Sequence, residues 1–109
     1  MSRLILITLI TLLPTAADAL GLIEGTDGNR IRGEVIASIS NPWAMTFVTP
    51  RHILVTAKTG AVWLVSTDGQ KTRVAGVPTA TVGGQGGMGD IVSHPDYATN
   101  KLIYLSLVK

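Results

Sequence analysis

The chain has no cysteine, one phenylalanine, two tryptophans, two tyrosines and no run of like charges in its 109 residues. The missing cysteines exclude a small scaffold held by disulfides, so folding has to rest on an apolar core. The net charge of +2 comes from scattered residues with no basic stripe and no interleaved aromatics, which argues against nucleic acid as a partner. Helical periodicity is almost absent beyond the first twenty residues. With 46% hydrophobic and 15% charged residues, the composition is not that of a disordered chain.

Long hydrophobic runs are missing too. The apolar run Leu4–Leu13 spans ten residues, well short of the ~20 that cross a bilayer. It follows Arg3 and precedes Pro14 and the small-x-small triplet Ala17-Asp18-Ala19. This is the pattern of a secretory signal peptide. We therefore expect a signal peptide over 1–19, no stable membrane span, and a periplasmic or secreted product. The remaining 20–109 is 90 residues, enough for a small core only.

What the chain does have is a series of short β-favouring segments. Gly21–Arg32 reads as a leader or as a strand completing a sheet elsewhere. Then come Val35–Ile39, Trp43–Val48, His52–Ala57, Ala61–Ser66, Lys71–Gly76, Met88–Ser93 and Leu102–Val108, separated by turn residues such as Asp68-Gly69. Such short connections indicate antiparallel meanders. The apolar runs at 62–65 and 102–105 suit strands buried on both faces. Pro50 and Pro95 each end a leading strand and lie 45 residues apart, within the roughly 40–50 of a propeller blade. A sandwich also has regular short strands. The propeller reading gives an all-β, partial β-propeller of about one and a half four-stranded blades. Its first blade is Trp43–Gly76, and its second begins at Met88. Two blades at most leave apolar faces wet, so the chain is expected to be part of a longer propeller.

The chemistry, if any, concentrates in Gly83–Tyr97. Gly84, Gly86 and Gly89 spell GxGxxG, but a dinucleotide site needs a helix after the glycines. Here Asp90-Ile91-Val92-Ser93 favours a strand and Pro95 follows. No Lys or Ser/Thr follows the last glycine, which excludes a phosphate loop. The glycines permit positive φ and close approach of a flat ligand. Gln85 alone in the loop has a hydrogen-bonding side chain, one that both donates and accepts. Its alternative is a solvated residue in an inter-blade connection.

Gly84-Gln85-Gly86-Gly87-Met88 followed by Asp90-Ile91-Val92-Ser93-His94-Pro95-Asp96-Tyr97 resembles the glucose/sorbosone dehydrogenase family, the soluble aldose sugar dehydrogenases that use pyrroloquinoline quinone (PQQ). Asn100 and Leu102–Ser106 continue the likeness. Upstream, Pro42-Trp43-Ala44-Met45, Leu54-Val55-Thr56 and Gly60–Val65 resemble the family's first blade. Two departures stand out: Ala57 where a Glu is usual, and Met88-Gly89 in place of Leu-Leu. The first puts a carboxylate near the site in doubt, and the second alters packing at the loop's exit.

The resemblance implies a six-bladed propeller, PQQ and Ca2+ as cofactors, and an aldose substrate. A histidine base would remove the anomeric proton while hydride passes from C1 to the quinone, giving a lactone. Only Gln85 falls on one of the family's functional positions, beside sugar and quinone. The catalytic histidine, the calcium ligands and the cationic clamps are expected beyond Lys109, so no catalytic and no metal-binding residue is assigned within the chain. The 109 residues alone are expected to be inactive. His94 and His52 read as turn or packing residues, and Asp96 as capping its turn through its own backbone. Asp90 and Asp96 make neither an acid/base pair nor a calcium cage. Trp43 and Trp63 read as blade core. The resemblance also allows a homodimer of the full-length protein. The alternatives are a non-catalytic propeller that binds a partner, or an inactive truncated fragment.

Overall fold

The computed structural model describes residues 19–109. The expected signal peptide 1–19 lies, except for Ala19, outside the described residues. The chain divides into two units at Val35/Ile36. In the first, strand β1 (Ala19–Glu24) pairs antiparallel with β2 (Arg30–Glu34) through a turn that uses Gly28 at φ +75°, with Arg30 Nε 3.0 Å from Glu24 Oε1. Gly21–Arg32 is thus one arm and part of the other of a local hairpin, and its partner strand comes from the same segment.

The second unit carries the propeller-like part. Strands β3 (Pro42–Thr49), β4 (His52–Ala57), β5 (Val62–Ser66) and β6 (Lys71–Arg73) form one antiparallel sheet in sequence order. A second pair, β7 (Met88–Ser93) and β8 (Ile103–Leu107), is joined through one helical turn, α1 (Tyr97–Asn100). One four-stranded sheet followed by the first two strands of another is the all-β architecture expected for one and a half blades. Among the described residues no helix is long and apolar enough to cross a membrane.

The turns explain why the strands stop. Gly60 (φ +102°) closes β4–β5, where Ala57 N–H donates to Ala61 O at 2.8 Å. Gly69 (φ +97°) closes β5–β6, backed by the Ser66 hydroxyl bound to the Asp68 carboxylate. That contact holds the Asp68 carboxyl below its ordinary pKa. Val35–Ile39 differs from expectation. It pairs with no strand, and its Ile36–Ile39 part lies over the sheet with Ser38 O accepting Lys71 Nζ at 2.8 Å. β-branched residues favour a strand, but only a partner ladder makes one.

Strand alternation divides the first sheet into two faces. Leu54 and Val62 turn toward β7 and close a core with Met88 and Ile91, flanked by Ala44, Val48, Leu64, Leu105 and Leu107. On the other face of β3, Trp43 (62% exposed), Met45 and Phe47 stand in the open. Trp43 therefore departs from the expected core position, because Ile36–Ile39 covers that face only around Ile53 and Val65 and leaves Trp43 open. Trp63 is half-buried, with Lys71 Nζ 4.7 Å from its ring centroid.

Polar contacts lock the two sheets together. The wholly buried Thr56 hydroxyl donates to Gly89 O at 2.8 Å and accepts from Ala44 N–H at 3.1 Å. Farther along, Ser93 N–H donates to Thr46 Oγ1 at 3.2 Å, and Ser93 Oγ donates to Phe47 O at 3.0 Å. A buried carbonyl left without its donor costs about 1–3 kcal/mol. Thr56→Val, which keeps the shape and removes the hydroxyl, is expected to lower unfolding stability by about 2 kcal/mol, with Thr56→Ser much closer to wild type. Urea unfolding monitored by tryptophan fluorescence checks this, and equal midpoints for wild type and Thr56→Val would exclude the hydroxyl as the tie.

Candidate functional site

The glycine loop is a closed turn rather than a loose connection. Gly83 and Gly86 bridge each other, with Gly86 N–H donating to Gly83 O at 2.7 Å. Gly84, at φ +53°, is the first central residue and Gln85 the second. Glycine at that place is what a two-residue hairpin turn of type II′ demands. Gln85 stands exposed at the tip. A Cβ added to Gly83 or Gly84 would meet nothing within 4 Å, so the backbone beside Gln85 faces open space.

The exit from the turn is tight. Gly87 adopts φ +151°, and a Cβ there would lie 2.5 Å from Lys58 O. Met88 N–H donates to that same carbonyl at 3.2 Å, and Val108 N–H donates to Gly87 O at 3.0 Å. A bulge follows in β7 between Met88 and Ile91. Its freed groups find side chains: Gly89 O takes the Thr56 hydroxyl, and Asp90 N–H donates to Ser106 Oγ at 2.8 Å. Bulges of this kind re-aim a chain next to a site. Strand β7 begins where a dinucleotide fold would require a helix, in agreement with the exclusion made from sequence.

The remaining candidates are structural in their contacts. His94 Nδ1 accepts from Asp96 N–H and from Asn100 Nδ2, both at 2.9 Å. Asn100 Oδ1 accepts Leu102 N–H at 3.0 Å, which orients the amide with its nitrogen toward the imidazole. His94 is thus the organiser of the turn before β8. Asp96 caps that turn through its own backbone, as expected, and its carboxylate makes no cap hydrogen bond. The imidazole reaches the Asp96 N–H instead, and the Asp96 carbonyl accepts Thr99 and Asn100 N–H. His52 Nδ1 bonds Thr49 Oγ1 at 2.9 Å across the β3–β4 turn. Asp90 Oδ1 is taken up by the neighbouring Ile91 N–H at 2.8 Å.

The fit to the implied cofactors divides. The open backbone at Gly83–Gly84 and the exposed Gln85 amide suit one edge of a flat quinone or a sugar hydroxyl. For Ca2+, no three His, Asp or Glu side chains come together among the described residues. Ala57 is 1% exposed and lines, with Trp63, Lys71 and Arg73, a cleft of about 480 Å3. No carboxylate stands there, and the cleft does not include Gln85. Lys58 is the residue that sequence reasoning missed. Its signal was weak, since a lone lysine in a Lys-Thr-Gly turn reads as a solvated charge.

Comparison with known proteins places this arrangement. The sequence pattern of the Glucose / Sorbosone dehydrogenase family matches residues 39–109. Aldose sugar dehydrogenase YliI of Escherichia coli is 35% identical over 71 residues, which cover 62% of this chain and 19% of that protein. Among solved structures, the PQQ-bound form of an aldose sugar dehydrogenase from Streptomyces coelicolor aligns over 70% of this chain and 24% of its own, at 26% identity and a TM-score of 0.64. The soluble aldose sugar dehydrogenase of Escherichia coli, in its apo form, aligns over 68% of this chain and 22% of its own, at 32% identity and a TM-score of 0.63. The chain therefore spans about a fifth of the length of its curated relative and less than a quarter of these structures. With most of its described residues matched in sequence and in backbone, the chain belongs to the glucose/sorbosone dehydrogenase family.

Proposed function

We propose that this chain is the N-terminal part of an exported, PQQ-dependent dehydrogenase that oxidises aldose sugars at C1 to lactones. The observation that carries the reading is the Gly83–Gly86 turn, which presents Gln85 beside open backbone within the segment the family pattern matches. The PQQ-bound relative supports the choice of cofactor. When bound, the quinone supplies the two-electron acceptor that protein side chains lack. Gln85 donates to or accepts from a sugar hydroxyl or a quinone carbonyl, and the rigid turn sets the direction of that bond. The glycines around it let a flat ring approach within van der Waals distance.

The rest of the site is assigned to other blades. His52 and His94 each serve a turn through Nδ1, and on the family resemblance the anomeric proton is assigned to a base outside 20–109. The open Trp43-Met45-Phe47 face and the exposed Val92 and Tyr104 are where neighbouring blades would pack. Residues 1–19 act as the signal peptide, and 20–109 as the opening part of the propeller domain.

Three outcomes are expected. In the intact protein, Gln85→Ala lowers kcat/KM for aldoses about tenfold, the worth of one net hydrogen bond. Unchanged kcat/KM together with an unchanged Kd for PQQ would remove Gln85 from the site. The 109-residue chain alone, given PQQ and Ca2+, reduces no dye with glucose or another aldose, and steady dye reduction would refute the placement of the base. N-terminal sequencing of protein recovered from the periplasm or medium begins at Leu20; a product starting at Met1 would contradict the signal peptide.

A further inference from the structure

We propose that Lys58 is a positioning residue for Gln85, holding the glycine turn to the first sheet so that the Gln85 amide is presented in one orientation. This rests on the reading of Gln85 as a ligand-contacting residue. Lys58 makes three attachments. Its N–H donates to Asn41 O at 2.9 Å, and Asn41 itself sits in the left-handed region at φ +52°. Its carbonyl accepts the Met88 N–H. Its ammonium reaches back to donate to Gly84 O, within the turn itself.

The turn needs such a tie. Gly83, Gly84, Gly86 and Gly87 have no side chains to pack, and glycine loses the most conformational freedom on ordering. The Gly83–Gly86 hydrogen bonds close the turn on itself but do not orient it against the sheet. Lys58 does both. Its aliphatic stem lies along Gly87, where an added Cβ would come within 3.0 Å of Lys58 Cγ, and its charge falls on the carbonyl immediately before Gln85. A charged donor makes a stronger bond to a carbonyl than a neutral one. Lys58 is half-buried along its stem, while its ammonium meets Gly84 O at the exposed surface. The position also links the two sheets, because Lys58 follows β4 whereas the turn leads into β7. Gln85 is thereby referenced to the first blade as well as to its own strand.

The test uses the intact protein without cofactor, with amide hydrogen exchange as the first readout. Lys58→Met keeps the stem and removes the ammonium. Lys58→Arg keeps a charged donor. In Lys58→Met, exchange of the Gly86 amide is expected to speed up about tenfold, as for a turn that has lost one charge-assisted tie, while Ile91 in the core exchanges as in wild type. Lys58→Arg stays within about twofold. The second readout is kinetic: Lys58→Met lowers kcat/KM, and Lys58→Met combined with Gln85→Ala is no worse than Gln85→Ala alone. Unchanged Gly86 exchange in Lys58→Met overturns the proposal, and so does additive loss in the double variant. The exchange measurement involves no substrate, so a Gln85 that proves idle in catalysis appears as a silent Gln85→Ala variant with the Gly86 result intact.

Discussion

The Thr56 hydroxyl, wholly buried between two sheets, is the constraint on which the rest of the second unit depends. It sits where β4 meets the bulge of β7, and it serves Ala44 N–H and Gly89 O at once. A dry interface between two β-sheets tolerates a bulge only if the freed backbone groups find partners. Thr56 and Ser106 supply them from opposite sides. With the bulge held, Met88 and Ile91 both fall into the core beside Leu54 and Val62. The offset between the sheets, and with it the position of everything leading into β7, follows from that seam.

The glycine turn lies immediately upstream of this seam, which explains how so bare a segment can be ordered. It draws its geometry from three sources: its own Gly83–Gly86 closure, the Lys58 contacts from β4–β5, and the Val108 N–H bond at the end of β8. Glycine is required for shape at Gly84 and for clearance at Gly87. The outcome is an exposed, hydrogen-bonded turn on the surface of this part of the molecule, not a pocket. A turn of that kind becomes one wall of a site when further elements face it, consistent with a chain that spans only a fifth to a quarter of its relatives' length.

Much of this was legible from residues alone. The strand of β4 matches the expected His52–Ala57 residue for residue, and Met88–Ser93 does likewise, because turn-forming residues bound both tightly. Two expectations failed for the same reason. Val35–Ile39 has strand-favouring residues but no partner ladder, and Trp43 has a core residue's chemistry but no covering element. Propensity describes what a residue tolerates, whereas pairing and burial depend on what lies opposite. The turn at His94 keeps the roles expected of His94 and Asp96 but divides them in a way local pattern does not show. Asp is the usual side chain to satisfy a turn's N–H, yet here the imidazole two residues earlier reaches it first.

By itself the sequence determined the strand order, the antiparallel meander, the exclusion of a nucleotide loop and the resemblance to a sugar dehydrogenase family, since these rest on local turn chemistry and on motif. Tertiary structure alone decided that the glycine segment is a closed turn with Gln85 at its tip, that Thr56 ties the blades, and that Lys58 reaches Gly84 across 26 residues. Those contacts join residues far apart in the chain, and their geometry depends on the register of two sheets against each other, which no local pattern encodes.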